Sequence, residues 1–412
     1  MLKTKSVTRR QFLKGSVGVA TAFTIVPKGV LGGPNRTPPS ETFGAALIGC
    51  GGRGNGTFNA MGLEAKKLAI CDVKFVGRAD NKTVYTDFRR VLERKDIDVV
   101  AIATPPHWHA LISIAAMEAG KDVLCEKPMT RFIAEGRAVA EAEERYKRIF
   151  QVGTFSRFGR SREPGSIEIH KIMASGLLKN CQGVHIKSGG LKVKQWSGMV
   201  NAQPQPIPKS LNWDMYCGPS PLRPYHRHRH GGTHRGYWDY EGGGLADMGQ
   251  HHYDPVQWVY AKDDTSPVEI EAYAPPAHPE ACGMWGWVEL KYADGMTFVF
   301  DSREWPVGGQ PAYDRKESRE VRLSDLSEAD QKKIREMPDP EPLVNFAEAV
   351  KTRKRAGGNA DAANRSATLL HLANIAIRTG RKLRYDPVKE EIIGDEQANR
   401  LVNPPMRAPW HL

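Results

Sequence analysis

The feature that most constrains the fold of this chain is a glycine-rich stretch, LIGCGGRG at residues 47–54, which follows an apolar run. Its G-x-G-x-x-G spacing is typical of the turn that joins the first strand and helix of a dinucleotide-binding domain. There the first glycine permits the tight bend, the second lets a pyrophosphate approach the backbone, and the third lets the helix pack on the strand. The amides that begin the helix attract phosphate. The predicted phosphate loop comprises Gly49, Gly51, Gly52, Arg53 and Gly54.

A carboxylate in the next predicted strand indicates which dinucleotide binds. The segment KKLAICDV places Asp72 at the end of that strand, 23 residues after Gly49. A carboxylate at this position accepts hydrogen bonds from the ribose hydroxyls and repels a 2′-phosphate, so we expect NAD, with NADP disfavoured. Between Asp72 and the apolar strand near residue 97 there is little room for a full crossover helix. Either this crossover is shortened or the strand boundaries are misplaced.

The order of predicted elements indicates two domains. Near-continuous apolar strands such as IDVVAIATPP and KDVLCEKP alternate with helical segments up to about residue 160, which is typical of a parallel sheet covered on both faces. Further along, strands of near-alternating polarity and a hairpin signal at Asp294-Gly295 predict a larger sheet with one free face. We therefore predict an α/β fold, with an N-terminal Rossmann doubly wound parallel sheet plus an α+β domain built on a large open, predominantly antiparallel sheet. The predicted units are the Rossmann domain at 43–160, a substrate and oligomerisation domain at 161–340, and C-terminal helices with a tail packing back on the domains at 341–412.

The first residues have the features of an export signal. The stretch TRRQFLK at residues 8–14 precedes a short, weakly apolar run, a pattern typical of the twin-arginine route. We expect a signal peptide at 1–33, a linker at 34–42, the twin-arginine translocase as a partner during export, and a periplasmic or otherwise exported protein. The apolar run is far shorter than the roughly 20 residues that span a bilayer. No clear cleavage site follows, so an uncleaved, tethered form stays open, as does an amphipathic or disordered tail.

Charge and cysteine content exclude some classes of function. The net charge is +12, but residues 1–33 hold six basic residues and no acidic one, which leaves +6 for the rest of the chain. A modest basic balance without a basic face does not favour nucleic acid as a partner. The six cysteines are scattered without CxxC pairs, so we expect neither a disulfide framework nor a cysteine metal site.

Three further motifs point to one family. The segments ATPPHWHA (103–110), CEKPMT (125–130) and GGGLADMGQHHYDP (242–255), in this order behind a nucleotide fingerprint, resemble the Gfo/Idh/MocA oxidoreductases. The resemblance implies a Rossmann domain followed by an open-sheet domain that often forms an oligomer interface, so a homodimer or homotetramer is expected. It also implies pyranose or polyol substrates bound between that sheet and the nicotinamide.

The resemblance assigns three catalytic residues. Lys127 matches the family's active-site lysine, at the carboxyl end of a parallel strand where its cation can stabilise an alkoxide. Asp247 and His251 match the catalytic pair, and positions four apart share one face of a helix. His251 suits taking a hydroxyl proton, and Asp247 would orient it or bind a neighbouring hydroxyl. Pro255 lies inside the same predicted helix, so we expect the helix to kink or break there.

Other residues are expected around the cofactor and the substrate. His107 and His109 are predicted to border the nicotinamide pocket, unless PPHWHA is a helix-capping turn that packs Trp108. Substrate-binding residues are predicted where aromatic side chains and planar hydrogen-bond donors could contact a sugar ring. Asp254 is added because it lies on the same face of the predicted helix as His251. The additional cofactor residues are Thr104, Pro105, His107, His109, Glu126 and Lys127, and the substrate residues are Arg235, Tyr237, Trp238 and Asp254.

A histidine cluster lies just before the third motif. The alternation of His226, His228 and His230, with His234 nearby, suggests a metal site if the segment is a strand, because alternate residues share a face. Histidines that line the substrate, or a solvated loop, are favoured instead, since the family as described requires no metal. We therefore predict no metal ion.

These observations favour one function over two alternatives. The favoured function is an exported NAD-dependent oxidoreductase that acts on a sugar, polyol or sugar derivative, with tightly bound cofactor recycled within each cycle because no soluble nicotinamide supply exists outside the cytoplasm. The first alternative is redox-neutral glycoside cleavage through a keto-sugar. The second is a non-catalytic sugar-binding protein that retains NAD.

Overall fold

The computed structural model describes residues 42–178, 184–187, 190–305, 313 and 321–412. The predicted signal peptide and all but the last residue of the predicted linker lie outside these residues. Within the described part of the chain, no helix is both long and apolar enough to cross a bilayer.

The first domain is a six-stranded parallel sheet with helices on both faces, as predicted. Its strand order, β3-β2-β1-β4-β5-β6, is that of a dinucleotide-binding doubly wound sheet. The strands are β1 (Phe43–Ile48), β2 (Ala65–Cys71), β3 (Val84–Tyr85), β4 (Val99–Ile102), β5 (Asp122–Cys125) and β6 (Phe150–Val152). The helices are α1 (Gly54–Asn59), α2 (Phe88–Leu92), α3 (His109–Glu118) and α4 (Ile133–Tyr146). The two central strands β1 and β4 contribute apolar side chains to a core on each side of the sheet.

The crossover after β2 is shortened, which settles the question that the sequence left open. No helix separates β2 from β3, and only the five-residue helix α2 lies between β3 and β4. The Asp80 carboxylate turns the chain before β3, because its Oδ1 accepts the backbone amides of Lys82, Thr83 and Val84, each at 2.8 Å. A carboxylate that binds successive amides competes with helix formation.

The second domain is built on a six-stranded mixed sheet in the order β12-β11-β8-β9-β10-β7. All neighbouring pairs are antiparallel except β10 and β7. The strands are β7 (Val184–Lys187), β8 (Glu269–Tyr273), β9 (Trp287–Lys291), β10 (Thr297–Asp301), β11 (Leu383–Asp386) and β12 (Glu391–Ile392). The predicted Asp294-Gly295 turn joins β9 to β10. Residues 341–412 are not helices and tail alone, since they also supply β11 and β12.

Several of the remaining helices contribute to the core of this sheet, whereas Phe346–Thr352 packs on the sheet of the first domain. The remaining helices are α5 (Ser156–Arg160), α6 (Pro164–Ser175), α7 (Trp213–Cys217), α8 (Gly243–Val259), α9 (Glu328–Glu336), α10 (Phe346–Thr352), α11 (Ala360–Thr379) and α12 (Glu396–Asn399). Helix α11 packs against both domains: Ala363 and Ala367 lie in the core of the Rossmann sheet, and Leu369 and Leu370 in the core of the second sheet. The two domains therefore share a buried helix.

Helix α8 runs without a break through Pro255, so the expected break at this residue is wrong. A proline removes one amide donor and frees the carbonyl four residues earlier, here that of His251. That carbonyl oxygen accepts a hydrogen bond from Ser156 Oγ at 3.3 Å. At the start of α8, a Cβ on Gly244 would lie 2.1 Å from the carbonyl oxygen of Leu191, so this glycine allows another backbone, rather than a ligand, to approach.

The segment 403–412 crosses back to the Rossmann domain. Trp410 packs edge-to-face on Trp108, with ring centroids 4.7 Å apart. Arg407 forms an ion pair with Asp214 at 2.7 Å and donates through Nε to the carbonyl oxygen of Gly218 at 2.9 Å. The segment thereby holds α7 and its C-terminal end against the first domain.

Candidate active site

One cavity of about 760 Å³ extends from the phosphate loop to the start of α8. Its outer part is formed by the ends of β1 and β2 and the loop between β1 and α1. Its inner part is formed by Lys127 after β5, by the first turns of α8, and by the segment 230–241. The carboxyl ends of parallel strands are where ligands bind in such sheets.

The phosphate loop has the geometry that a pyrophosphate requires. Gly49 has φ +91°, and a Cβ there would lie 2.4 Å from the carbonyl carbon of Ala103. A Cβ on Gly54 would lie 2.5 Å from the oxygen of Gly49. Around Gly51 and Gly52, in contrast, no atom of the described residues would come within 4 Å of a Cβ, and both residues line the cavity. These two glycines leave open the space in which a dinucleotide backbone fits.

Asp72 lines the cavity beside this loop. Its Oδ2 accepts the amide of Cys50 at 2.8 Å, and its Oδ1 accepts the amide of Lys74 at 3.0 Å. The ammonium of Lys74 donates to the carbonyl oxygen of Cys50 at 2.7 Å and lies 3.5 Å from Asp72. Lys74 was not predicted as a cavity residue, although its position two residues after Asp72 could have indicated it.

Glu126 connects the phosphate loop to the strand that ends before Lys127. This buried carboxylate accepts Arg53 Nε at 2.8 Å and Thr57 Oγ1 at 2.9 Å, both on Oε1. Arg53 and Glu126 both line the cavity. Their ion pair fixes the loop relative to β5.

The inner part of the cavity contains a buried charge cluster. Lys127 Nζ lies 2.7 Å from Asp247 Oδ1, and both side chains are less than one-tenth exposed. Arg235 Nε lies 2.8 Å from the same carboxylate oxygen. Burial alone would raise the pKa of Asp247, but the two neighbouring cations hold this pKa below its ordinary value. Asp247 is therefore an anion that holds Lys127 in place.

His251 lies one helical turn after Asp247 and lines the same cavity. Burial, together with the positive charge of Lys127, lowers the pKa of His251 to about 4. At neutral pH this imidazole is therefore uncharged and can accept a proton. The structure thus brings Lys127, Asp247 and His251 to one end of one cavity.

The residues of the ATPPHWHA segment divide into two groups. Thr104, Pro105 and Trp108 line the cavity, but His107 and His109 do not. His107 is buried behind the wall, with Nε2 2.7 Å from the carbonyl oxygen of Tyr216. The His109 ring lies between the carbonyl oxygens of Pro128 and Thr104, each at 2.8 Å. The prediction that both histidines border the pocket is wrong, and the alternative of a turn that packs Trp108 describes the structure.

Two predicted sugar-stacking residues lie in the protein interior. Tyr237 is fully buried, and its hydroxyl lies 2.9 Å from His228 Nδ1. Trp238 is also buried and donates through Nε1 to the carbonyl oxygen of His278 at 2.9 Å. Neither lines the cavity, whereas Arg235 does. The aromatic pair therefore belongs to the core.

Asp254, predicted beside the substrate, is likewise buried away from the cavity. Its carboxylate accepts Thr154 Oγ1 at 2.6 Å and pairs with Arg157 at 2.8 Å. Arg157 also pairs with Asp263. This network joins α8 to α5 and to the end of β6, so Asp254 positions the helix that contains Asp247.

The histidine cluster does not form a strand. The chain makes two 3-10 turns, Arg227–Arg229 and Gly231–Gly236, so alternate histidines do not share a face. His226 Nδ1 accepts the amide of His228, while His230 and His234 line the cavity. Among the residues that the structure describes, no group of three or more histidine, cysteine, aspartate or glutamate side chains is arranged to hold a metal ion.

Several cavity residues were not predicted. Glu241 lines the inner part, where its Oε2 lies 3.1 Å from His234 Nε2. Glu241 could have been predicted from its position immediately before the glycine run at 242–244. Met215 and Tyr216 of α7 complete the wall. No sequence pattern indicated them, because α7 is placed by tertiary contacts.

Comparison with known proteins agrees with this arrangement. Residues 43–154 match a family model described as "Oxidoreductase family, NAD-binding Rossmann fold", and residues 165–412 match "Oxidoreductase family, C-terminal alpha/beta domain". The chain is 30% identical to inositol 2-dehydrogenase of Salmonella typhimurium over 158 residues, covering 35% of this chain and 45% of that protein. It is 31% identical to an α-N-acetylgalactosaminidase of Shewanella oneidensis over 176 residues, covering 34% of this chain and 38% of that protein. The alignments thus span less than half the length of these relatives.

Solved structures share the fold. The WlbA dehydrogenase from Bordetella pertussis, solved in complex with NADH and UDP-GlcNAcA, aligns with a TM-score of 0.52 and 16% identity, covering 84% of this chain and 99% of that one. At that identity the likeness concerns the fold alone. The two family models together cover both domains from residue 43 onward. The chain belongs to the Gfo/Idh/MocA oxidoreductase family, and its first domain is the family's NAD-binding Rossmann domain.

Proposed function

We propose that this protein oxidises a CH–OH group of a sugar, polyol or sugar derivative, with NAD as hydride acceptor. The observation that carries the proposal is that Lys127, Asp247 and His251 meet at the inner end of the cavity whose outer end is the phosphate loop. A substrate bound by these three residues would lie in the same cavity as the residues that would hold the dinucleotide. The similarity to an inositol 2-dehydrogenase supports a carbohydrate as the substrate class.

Each of these residues has a separate role in an alcohol oxidation. When bound, NAD supplies the site that accepts the hydride. The neutral imidazole of His251 accepts the hydroxyl proton. The ammonium of Lys127 stabilises the negative charge that develops on the substrate oxygen, and Asp247 keeps that ammonium in position.

We extend the proposal to the place where the protein acts. The TRRQFLK motif supports export by the twin-arginine translocase, to the periplasm or an equivalent compartment, with a tethered form if the leader is not removed. Without a soluble nicotinamide supply there, the cofactor would stay bound and be returned to its oxidised form within each cycle. A homodimer or homotetramer is the expected assembly.

Redox-neutral glycoside cleavage is the second candidate. It is favoured by the alignment with an α-N-acetylgalactosaminidase. In such a reaction, oxidation of one hydroxyl acidifies the neighbouring C–H, a glycosidic bond eliminates, and the carbonyl is then reduced again. The site residues proposed for hydride transfer would serve both reactions. A non-catalytic, NAD-retaining protein is disfavoured, because all three catalytic positions are occupied by competent side chains.

The test is a cofactor and turnover assay on protein exported by its own leader and purified without added nucleotide. Bound nucleotide is released and identified, and the absorbance of reduced nicotinamide is followed while hexoses, polyols and glycosides are added. Tightly held NAD that one sugar reduces and a keto-sugar reoxidises supports the recycling oxidoreductase. Aglycone release without net reduction supports cleavage. Protein that holds no NAD and turns over only with added NAD contradicts recycling, and no reduction by any carbohydrate contradicts the proposed substrate class.

A further inference from the structure

The second domain forms part of the cavity wall at the loop that follows β2. The backbone amide of Asn212 donates to the carbonyl oxygen of Val73 at 2.9 Å, and the amide of Val76 donates to the carbonyl oxygen of Ser210 at 3.2 Å. The side chain of Val73 packs against a largely aromatic cluster of the second domain that contains Tyr216. Val73 and Tyr216 both line the cavity. The second domain is therefore anchored beside the first residues after β2.

Further contacts fix the position of His230 in this wall. Trp108 Nε1 donates to the carbonyl oxygens of Met215 and Tyr216, each at 3.1 Å. The Tyr216 hydroxyl in turn donates to the carbonyl oxygen of Arg229 at 3.0 Å. The ring of the next residue, His230, lies edge-on against the ring of Tyr216, with the ring centroids 5.0 Å apart. A side chain of the first domain thus holds the part of the second domain that carries His230.

His230 lies near Asp72. Both residues line the cavity, as does Lys74. Burial lowers the pKa of His230, the Asp72 carboxylate opposes this effect, and His234 and Lys74 add to it. The effect of one charge on another falls with distance, so the imidazole lies within a short range of the carboxylate. Because its pKa is lowered, the ring is uncharged at neutral pH and offers one N–H donor and one acceptor.

Asp72 and His230 both have unused hydrogen-bonding capacity. The two oxygens of Asp72 each accept one backbone amide, at 2.8 and 3.0 Å, whereas a carboxylate offers about four lone-pair positions. In the part of the chain that the structure describes, His230 forms hydrogen bonds only through its backbone, with Arg227 and Thr233. Its two ring nitrogens are therefore available to a ligand in the cavity.

A ribose diol fits this pair of groups. In dinucleotide-binding sheets, the carboxylate after the second strand accepts hydrogen bonds from the hydroxyls of the adenosine ribose, and Asp72 is at this position. Each hydroxyl has one hydrogen to donate and two lone pairs with which to accept. When that hydrogen points to Asp72, the lone pairs remain, and an uncharged imidazole supplies the N–H that they need. An enclosed site favours this contact, because a buried polar group without a partner is costly.

We propose that His230 is a cofactor-binding residue of the second domain, which donates a hydrogen bond to the adenosine ribose diol of NAD while Asp72 accepts from the same diol. The dinucleotide is then bound by both domains and not by the Rossmann domain alone. The inference rests on the NAD part of the proposed function and is independent of the carbohydrate, so it is tested with no carbohydrate present.

The test compares dissociation constants, measured by calorimetry on full-length protein from which bound nucleotide has been removed. The variants are His230→Ala and His230→Phe, which keeps a ring against Tyr216 but has no ring nitrogen, and either variant that folds is sufficient. The control is His228→Ala, since His228 lies in the preceding 3-10 turn and does not line the cavity. We expect both His230 variants to bind NAD and ADP-ribose about 3- to 10-fold more weakly, as for the loss of one hydrogen bond, and nicotinamide mononucleotide as wild type does. The control should bind all three ligands as wild type does.

NAD analogues that lack one hydroxyl of the adenosine ribose separate a direct contact from a structural effect. Wild type and the His230 variants should bind either the 2′-deoxy or the 3′-deoxy analogue equally well, because the contact is then absent from every protein compared. An equal loss of affinity for NAD and for both analogues, or a loss for nicotinamide mononucleotide, would overturn the proposal. Unchanged NAD affinity in the variants would also overturn it and would leave the proposed oxidation standing, whereas a wild type that binds no NAD overturns both.

Discussion

Lys127 Nζ and Asp247 Oδ1 lie 2.7 Å apart, although 120 positions separate them in the chain. Lys127 follows the parallel strand β5 of the first domain, and Asp247 is in the first turns of α8 in the second. Their ion pair therefore exists only when the two domains are docked. It places the cation of one domain and the helix of His251 in the other around a single ligand space.

Replacing Lys127 with methionine should remove transition-state stabilisation and leave cofactor binding intact. The ammonium faces Asp247 at the inner end of the cavity, away from the phosphate loop. We expect kcat/KM to fall by about 10²–10³-fold, as for loss of one electrostatic donor, with the Kd for NAD within about threefold of wild type. Steady-state kinetics and titration with NAD measure the two quantities. Lys66→Met, on the exposed part of β2, is the control, and a parallel loss of NAD affinity in Lys127→Met would show that this lysine binds the cofactor instead.

We expect kcat/KM to fall only at unusually acidic pH, where His251 becomes protonated. A base acts in its unprotonated form, and burial and Lys127 lower the pKa of His251 to about 4. Activity should thus be constant at neutral pH and be lost only as the pH falls through about 4. The pH profile of kcat/KM reports this free-enzyme pKa. In Lys127→Met the residual activity should show the limb at higher pH, since one cause of the lowered pKa is gone, and a wild-type limb near the ordinary pKa of about 6.5 would exclude this assignment.

Alanine substitutions at two glycines of the phosphate loop should affect different properties of the protein, namely NAD affinity and stability. A methyl group on Gly51 enters open space in the cavity, so Gly51→Ala should fold normally and bind NAD at least about tenfold more weakly. A methyl group on Gly49 meets the carbonyl carbon of Ala103 at 2.4 Å in a positive-φ conformation. Gly49→Ala should therefore lower the free energy of unfolding by about 1–3 kcal/mol. Chemical unfolding of the two NAD-free variants separates these effects, and equal stabilities would refute the distinction.

Asp254→Asn should destabilise the protein. Removing this charge leaves Arg157, which is fully buried, with Asp263 as its remaining carboxylate partner. Breaking a buried ion pair costs about 3–5 kcal/mol, so the denaturant midpoint should fall markedly. Asp361→Asn, in a half-exposed pair with Arg137, should change stability by less than about 1 kcal/mol. If Asp254→Asn instead folds with wild-type stability and raises only KM, Asp254 is a substrate residue after all.

The sequence was sufficient for the parts of the site that depend on local pattern. The glycine spacing with Asp72, and the four-residue spacing of Asp247 and His251, encode geometry through one turn or one helix face. The position of Lys127 followed from the family motif and from the rule that strand ends meet at one edge of the sheet. Each of these residues lines the cavity.

The predictions that were wrong concern residues whose position is decided by tertiary packing. Tyr237 and Trp238 neighbour Arg235 in the chain, yet their rings turn into the core while the guanidinium faces the cavity. The contact of His234 with Glu241 depends on a 3-10 turn, which the alternation of histidines does not indicate. Pro255 is tolerated because Ser156, from another helix, binds the carbonyl that the proline frees. None of these partners can be identified from spacing alone.

The packing of Trp410 on Trp108 has a consequence for biosynthesis. Trp108 lines the cavity and donates through Nε1 to the carbonyl oxygens of Met215 and Tyr216, so three parts of the chain meet at this wall. A ribosome makes the phosphate loop more than 350 residues before it makes Trp410. The glycine turn exists early, but the lining residue Trp108 gains its contact with Trp410 only after the ribosome has passed residue 410. One wall of the compartment therefore receives its outer packing only at the end of synthesis.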